Sequence, residues 1–120
     1  MKKGLEAYQN TAVTTQNKGR LIVMLYDGAI KFLKLAIKEM EAGNHQAKGQ
    51  YINKAKDIIN ELNVVLDTEA GGEVAMNLRK LYVFMNAHLT QANTKLDTQK
   101  VRDVIKLLEE LNESWKAISG

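Results

Sequence analysis

Apolar residues recur along most of the chain with the spacing of a helix. Between about Lys18 and Ala42, the positions Leu21, Ile22, Leu25, Ala29, Phe32, Leu33, Ala36 and Met40 fall within an arc of about 120° when each residue is rotated by about 100°. Asn17 or Thr15 supplies a candidate cap at the start of this segment, and Gly43 stands where a helix-ending glycine belongs. A second periodic segment, about Asn44 to Leu66, carries Ala47, Tyr51, Ala55, Ile58, Leu62 and Val65. The turn-rich DTEAGG, Asp67 to Gly72, interrupts the pattern. A third segment, about Glu73 to Asn93, carries Val74, Leu78, Leu81, Tyr82, Met85 and Leu89. Asp97 is a natural N-cap for a fourth, Thr98 to about Ile118, with Val101, Val104, Leu108, Leu111 and Trp115 on one face. Helices of this length joined by short connections predict an all-α fold, an antiparallel up-down-up-down four-helix bundle. Residues 1–17 read as a polar N-terminal leader or cap with apolar anchors at Leu5, Tyr8 and Val13, and residues 18–120 as the bundle domain.

The first helix carries more apolar surface than a bundle position requires. A core stripe is a little over 100° wide, yet Val23, Tyr26, Ile30 and Ile37 extend this one to about 200° before Asp27, Lys34 and Lys38 begin. On the third helix Met76 and Val83 lie roughly opposite the core arc, with Phe84 off one flank. Two readings of the excess stand. It forms a groove that takes a partner polypeptide, or it packs against the leader, a twin subunit or nothing in particular. On either reading Tyr26 and Ile30 lie outside the core stripe, so Tyr26→Glu or Ile30→Glu should leave the fold intact while Leu25→Glu should destroy it.

Composition narrows the class. With no proline and 45% apolar residues the chain suits packed helices rather than disorder or a loop-rich β fold. The absence of cysteine removes disulfides, zinc–thiolate sites and thiol nucleophiles, and suits a reducing cytoplasm. The longest unbroken apolar run, Leu21 to Tyr26, is six residues, against the roughly 20 that a membrane span needs. No secretory signal pattern follows Met1-Lys2-Lys3, so neither secretion by that route nor membrane insertion is expected. The net charge of +3 comes from 17 basic residues interleaved with 14 acidic ones, a distribution of solvated helix faces rather than of a nucleic-acid surface.

Candidate chemistry is sparse. His45 and His88 sit on different helices without a second ligand at i+4, and Gly71-Gly72 lacks the lysine and preceding strand of a phosphate loop. Asp27 has only Tyr26 beside it, Glu109 and Glu110 are consecutive and diverge on a helix, and Ser114 has no histidine nearby. The expectation is a protein without enzymatic activity, cofactor or metal, whose work is to hold another polypeptide.

Four blocks carry a family resemblance: AYQNTAVTT, RLIVMLYDGAIKFL, GGEVAMNLRKLYVFMNAHL followed by AN, and LLEELNESWKAI. Together, from Ala7 to Ile118, they resemble the bacterial flagellar secretion chaperones in order and spacing. The resemblance implies a cytoplasmic helix bundle that binds the C-terminal region of flagellin. It would block premature polymerisation and deliver the client to a component of the flagellar type III export gate. It also implies that the leader, with its pair Ala7-Tyr8, covers part of the apolar surface when no client is bound. The resulting client-binding and cap set is Leu5, Tyr8, Val23, Tyr26, Ile30, Ile37, Met76 and Val83. The family often has Ser-Pro before the Arg-Leu-Ile of the first helix. Here Asn17-Lys18-Gly19 stands instead, which should loosen that helix's first turn. The competing reading is a structural bundle that dimerises through the first helix.

Overall fold

The computed structural model describes residues 15–66 and 68–119. They form α1 (Thr15–Glu41), α2 (His45–Val65), α3 (Thr68–Lys95) and α4 (Thr98–Ser119). Leu5 and Tyr8 of the leader lie outside the described residues. Each helix packs against its two neighbours in the ring α1–α2–α3–α4, with α4 closing back on α1. Connections this short force consecutive helices to run antiparallel, so the bundle is up-down-up-down as the periodicity predicts.

The turns explain why the helices stop where they do. Gly43 adopts a left-handed φ of 78°, which lets the Asn44 N–H reach the Glu39 carbonyl at 2.9 Å and the Gly43 N–H reach that of Met40 at 3.2 Å. These two bonds satisfy carbonyls that α1 would otherwise leave open. Leu96 does the same for α3 at φ 54°, with the Asp97 N–H on the Ala92 carbonyl. Asp97 then caps α4, its Oδ1 accepting from the N–H groups of Gln99 at 3.0 Å and Lys100 at 3.3 Å. Gly72, at φ 54° and ψ −128°, breaks the first turn of α3 from the helix proper. A Cβ there would meet nothing within 4 Å, so the cost of any other residue is one of backbone strain alone. Gly72→Ala is expected to lower stability by about 1–3 kcal/mol, read as a lower thermal midpoint with unchanged helix content at 20 °C by circular dichroism.

The core corrects the reading of α1. Tyr26 is 0% exposed and Ile30 only 9%, and both belong to the buried cluster with Leu21, Leu25, Ala29, Leu33 and Ala36. Val23 and Ile37 are partly buried. The wide apolar arc therefore packs inside the bundle. One flank of α1 meets α2, where Phe32 stacks on Tyr51 at 6.1 Å and the Ile58 side chain closes over Gly28. The opposite flank meets α4, where the Asn112 amide donates to Asp27 at 2.7 Å and Lys34 pairs with Glu109 at 3.3 Å. Between the flanks, the Tyr26 hydroxyl reaches diagonally across the bundle to that of Tyr82 on α3, at 2.7 Å. A helix covered on three sides needs an apolar arc far wider than 120°. The outward face of α1 carries Asp27, Lys31, Lys34 and Lys38 beside the exposed Met24, and so offers little of the apolar surface that a dimer through α1 would use. Tyr26→Glu and Ile30→Glu are accordingly core substitutions and not probes of a groove.

On α2 the buried line is Lys48, Ile52, Ala55, Ile59 and Leu62. Tyr51, Ile58 and Val65, taken from the pattern as central, are half-buried on the flank. The helix is rotated slightly from its apparent apolar axis because its second flank faces a polar seam with α3. There Lys48 donates from Nζ to the Asn93 carbonyl at 3.0 Å and Lys56 to the Thr90 hydroxyl at 2.7 Å. The Asn86 amide donates to Asn60 at 2.7 Å, and Arg79 Nε to Asn63 at 3.2 Å. Lys48 is 5% exposed, and its cation lies at the last turn of α3, where unpaired carbonyls carry partial negative charge.

Candidate functional site

The α3–α4 seam differs from the α2–α3 seam along its length. Near the α3 C-terminus it is closed by polar groups. His88 Nε2 lies 3.3 Å from Asp103, Gln99 donates to the same carboxylate at 2.9 Å, and Phe84 stacks on the His88 ring at 4.9 Å. The Gln99 and His88 hydrogen bonds hold the Asp103 carboxyl below its usual range. Toward the other end the seam becomes aliphatic.

Leu78 marks the change. It lies on the same line of α3 as Met85 and Leu89, which are fully buried, yet it is half-exposed. Ala75, on the side toward α2, is buried. So the N-terminal half of α3 is buried on its α2 side at Ala75 and only half-buried on its α4 side at Leu78 and Leu81. The side chains that line this part of the seam follow from the hydrogen bonds that fix each helix's rotation. On α3, Arg79, Asn86, Thr90 and Asn93 face α2, which turns Val74, Leu78 and Leu81 toward α4. On α4, Arg102, Glu109 and Asn112 face α1 while Asp103 faces α3, which puts Leu107, Leu111 and Ile118 on the α3 side. Because the helices are antiparallel, the start of α3 meets the end of α4. Leu78, Leu81, Leu107 and Leu111 are thus half-buried along an apolar seam, the trough, with Val74 and Ile118, 68% and 76% exposed, at its end.

An aromatic platform ties this end of the bundle together. Tyr26 of α1 and Tyr82 of α3 share their hydroxyl hydrogen bond and an edge-on ring contact at 6.4 Å, and Trp115 of α4 also hydrogen-bonds Tyr26. Burial pushes both tyrosine hydroxyls above their usual ionisation range, so the platform is neutral. The seam beside it is lined by aliphatic side chains. It can bury apolar side chains of another polypeptide. Among the described residues no group of three His, Cys, Asp or Glu side chains is placed to hold a metal ion, and no helix is long and apolar enough to cross a membrane.

The residues singled out from the sequence are thus distributed over the molecule. Tyr26 and Ile30 are core, and Val23 and Ile37 are partly buried on α1. Met76 and Val83 are exposed on the outward face of α3. None of these lines the trough, and Leu5 and Tyr8 lie outside the described residues. The sequence reading had placed Val74 and Leu111 in the core and passed over Leu107 and Ile118. The signal was present, since Val104, Leu107, Leu111 and Ile118 extend the apolar face of α4 well to one side of its core line.

Comparison with known proteins agrees with the blocks noted in the sequence. The family model described as flagellar protein FliS matches residues 1–120. The flagellar secretion chaperone FliS of Salmonella typhimurium is 42% identical over 121 residues, covering 97% of this chain and 90% of the relative. The flagellar secretion chaperone FliSB of Pseudomonas aeruginosa is 40% identical, covering 98% and 96%. The Vibrio cholerae chaperone FliS is 38% identical, covering 98% and 90%. With its four-helix bundle and full-length match, this chain belongs to the flagellar protein FliS family.

Proposed function

We propose that this protein is a cytoplasmic export chaperone that holds the C-terminal region of flagellin, keeps it from polymerising prematurely and hands it to a component of the flagellar type III export apparatus. The observation that carries the reading is the half-buried aliphatic trough between the first half of α3 and the last half of α4. A trough of this kind suits an amphipathic segment that orders as it binds. Each aliphatic side chain it covers contributes ~1.5–3 kcal/mol at best. Several such contacts offset the ordering of a short client segment, which costs ~1–2 kcal/mol per residue before hydrogen bonds form.

The leader fits the same scheme as a displaceable cover. The antiparallel arrangement brings the start of α1 to the end of the bundle where α3 begins and α4 finishes. Leu5 and Tyr8 are too few to hold a segment of that length tightly. Deleting residues 1–12 should therefore leave helix content and cooperative melting nearly unchanged while raising fluorescence of an apolar dye. A large loss of cooperativity would make the leader part of the core and end its role as a cover.

Titration calorimetry with a flagellin C-terminal fragment tests the reading directly. The expected result is one client per chaperone, a clearly negative heat-capacity change, and more helix in the complex than in its separate parts. Affinity should change less than about tenfold between about 50 and 200 mM salt, because the side chains lining the trough are aliphatic, whereas a nucleic acid held through about six phosphates would lose about a thousandfold. A steep salt slope without added helix would refute a chaperone working through this trough.

A further inference from the structure

The outward face of α3 has properties that the client reading does not use. Met76 and Val83 are 58% and 61% exposed, and with Arg79 and Lys80 they line a shallow open depression. The two apolar side chains are seven residues apart, two turns of one line. From Val74 to Lys95 the helix contains Arg79, Lys80 and Lys95 and no Asp or Glu. The nearest acid along the helix is Glu73, at its start. Across the seam, the α2 residues bonded to α3 are Lys48, Lys56, Asn60 and Asn63, all cationic or neutral. Arg79 is oriented by its Nε bond to Asn63, and Lys80 has no hydrogen bond or ion pair among the described residues. Exposed apolar anchors beside positive charge, with Glu73 the one acid of α3 among the described side chains, form a surface of defined complementarity.

We propose that this face docks an acidic amphipathic helix of a second partner protein, separate from the client in the trough. Its apolar residues would cover Met76 and Val83, and its flanking carboxylates would pair with Arg79 and Lys80. Charge decides against the other occupants. A two-fold dimer through this face would set Arg79 and Lys80 of one copy against the same residues of the other. The leader brings Lys2 and Lys3 with Glu6 as its one acid, so it matches no better. Two cations beside two large apolar side chains make a poor phosphate-backbone site. The face also points away from the trough, so both partners can be held together.

The test uses a synthetic helical peptide of about 18 residues with leucines on one face and glutamates on both flanks, and a twin in which lysines replace the glutamates. Fluorescence anisotropy with the full chain at low salt should show the glutamate peptide binding at least about tenfold more tightly than the lysine twin. Arg79→Glu/Lys80→Glu should reverse that order, and Met76→Ser/Val83→Ser should weaken the glutamate peptide by about tenfold. Both double variants should melt cooperatively, the charge-reversed one a few degrees lower for its lost Arg79–Asn63 hydrogen bond, and both should bind the flagellin fragment within about threefold of wild type. Equal binding of the two peptides, or a preference unmoved by charge reversal, would overturn the proposal. So would displacement of the glutamate peptide by the flagellin fragment, which would place it in the trough and leave the chaperone reading standing. A doubled mass of the chaperone alone, halved by either double variant, would reassign the face to self-association.

Discussion

Tyr26→Glu is expected to abolish cooperative folding. The side chain is fully buried where α1, α3 and α4 meet, with its hydroxyl on Tyr82 and in reach of Trp115. Glutamate would put a carboxylate into that neutral pocket. The effective penalty for an unpaired buried charge is several kcal/mol, and the loss of the aromatic ring adds ~3–5 kcal/mol. Together these match the ~5–15 kcal/mol that holds a domain of this size. The measurement is a thermal or urea melt followed by circular dichroism, in which the variant should show no cooperative transition. Tyr26→Phe separates charge from shape. It keeps the ring, leaves the Tyr82 hydroxyl without its partner and should cost only ~1–2 kcal/mol. A Tyr26→Glu variant that melts like wild type would show that α1 does not pack as described.

The second large effect is on binding. Val74→Glu/Ile118→Glu places two carboxylates at the end of the trough, at positions so exposed that folding should be unaffected. An apolar client laid across them would have to desolvate both charges, at several kcal/mol in total. Affinity for the flagellin C-terminal fragment should fall by at least about a hundredfold, equivalent to ~3 kcal/mol. The melting midpoint of the free protein should move by no more than a few degrees. Calorimetry on the two proteins decides the matter. Wild-type affinity in this variant would exclude the trough as the client site, whatever its effect on the leader.

The contrast between Tyr26 and Val74 shows where legibility in the sequence ends. Both are apolar residues on helices whose periodicity is plain, and the helix boundaries, the Asp97 cap and the Gly43 stop were all readable because they depend on local chemistry. A hydrogen bond to the next turn, a left-handed φ and a cap side chain involve residues within a few positions of each other. The family blocks were readable for a related reason, being runs of consecutive residues. Which part of an apolar arc is covered is a different kind of quantity, since it depends on how many neighbours a helix has and how closely each approaches.

By itself, then, the sequence determined four helices, their antiparallel order and an apolar surface wider than a minimal bundle needs. Only the tertiary structure decided where that excess goes. On α1 most of it is buried, because two flanking helices and the Tyr26–Tyr82 bridge cover Tyr26 and Ile30 and leave only Val23 and Ile37 partly exposed. On α3 part of it stays exposed, because the polar seam of Lys48, Lys56, Asn60 and Asn63 ties that helix to α2 while Leu78 and Leu81 on its α4 flank are only half-buried. Periodicity fixes the direction of each side chain from its own helix axis, and burial is set by what the other helices place in front of it.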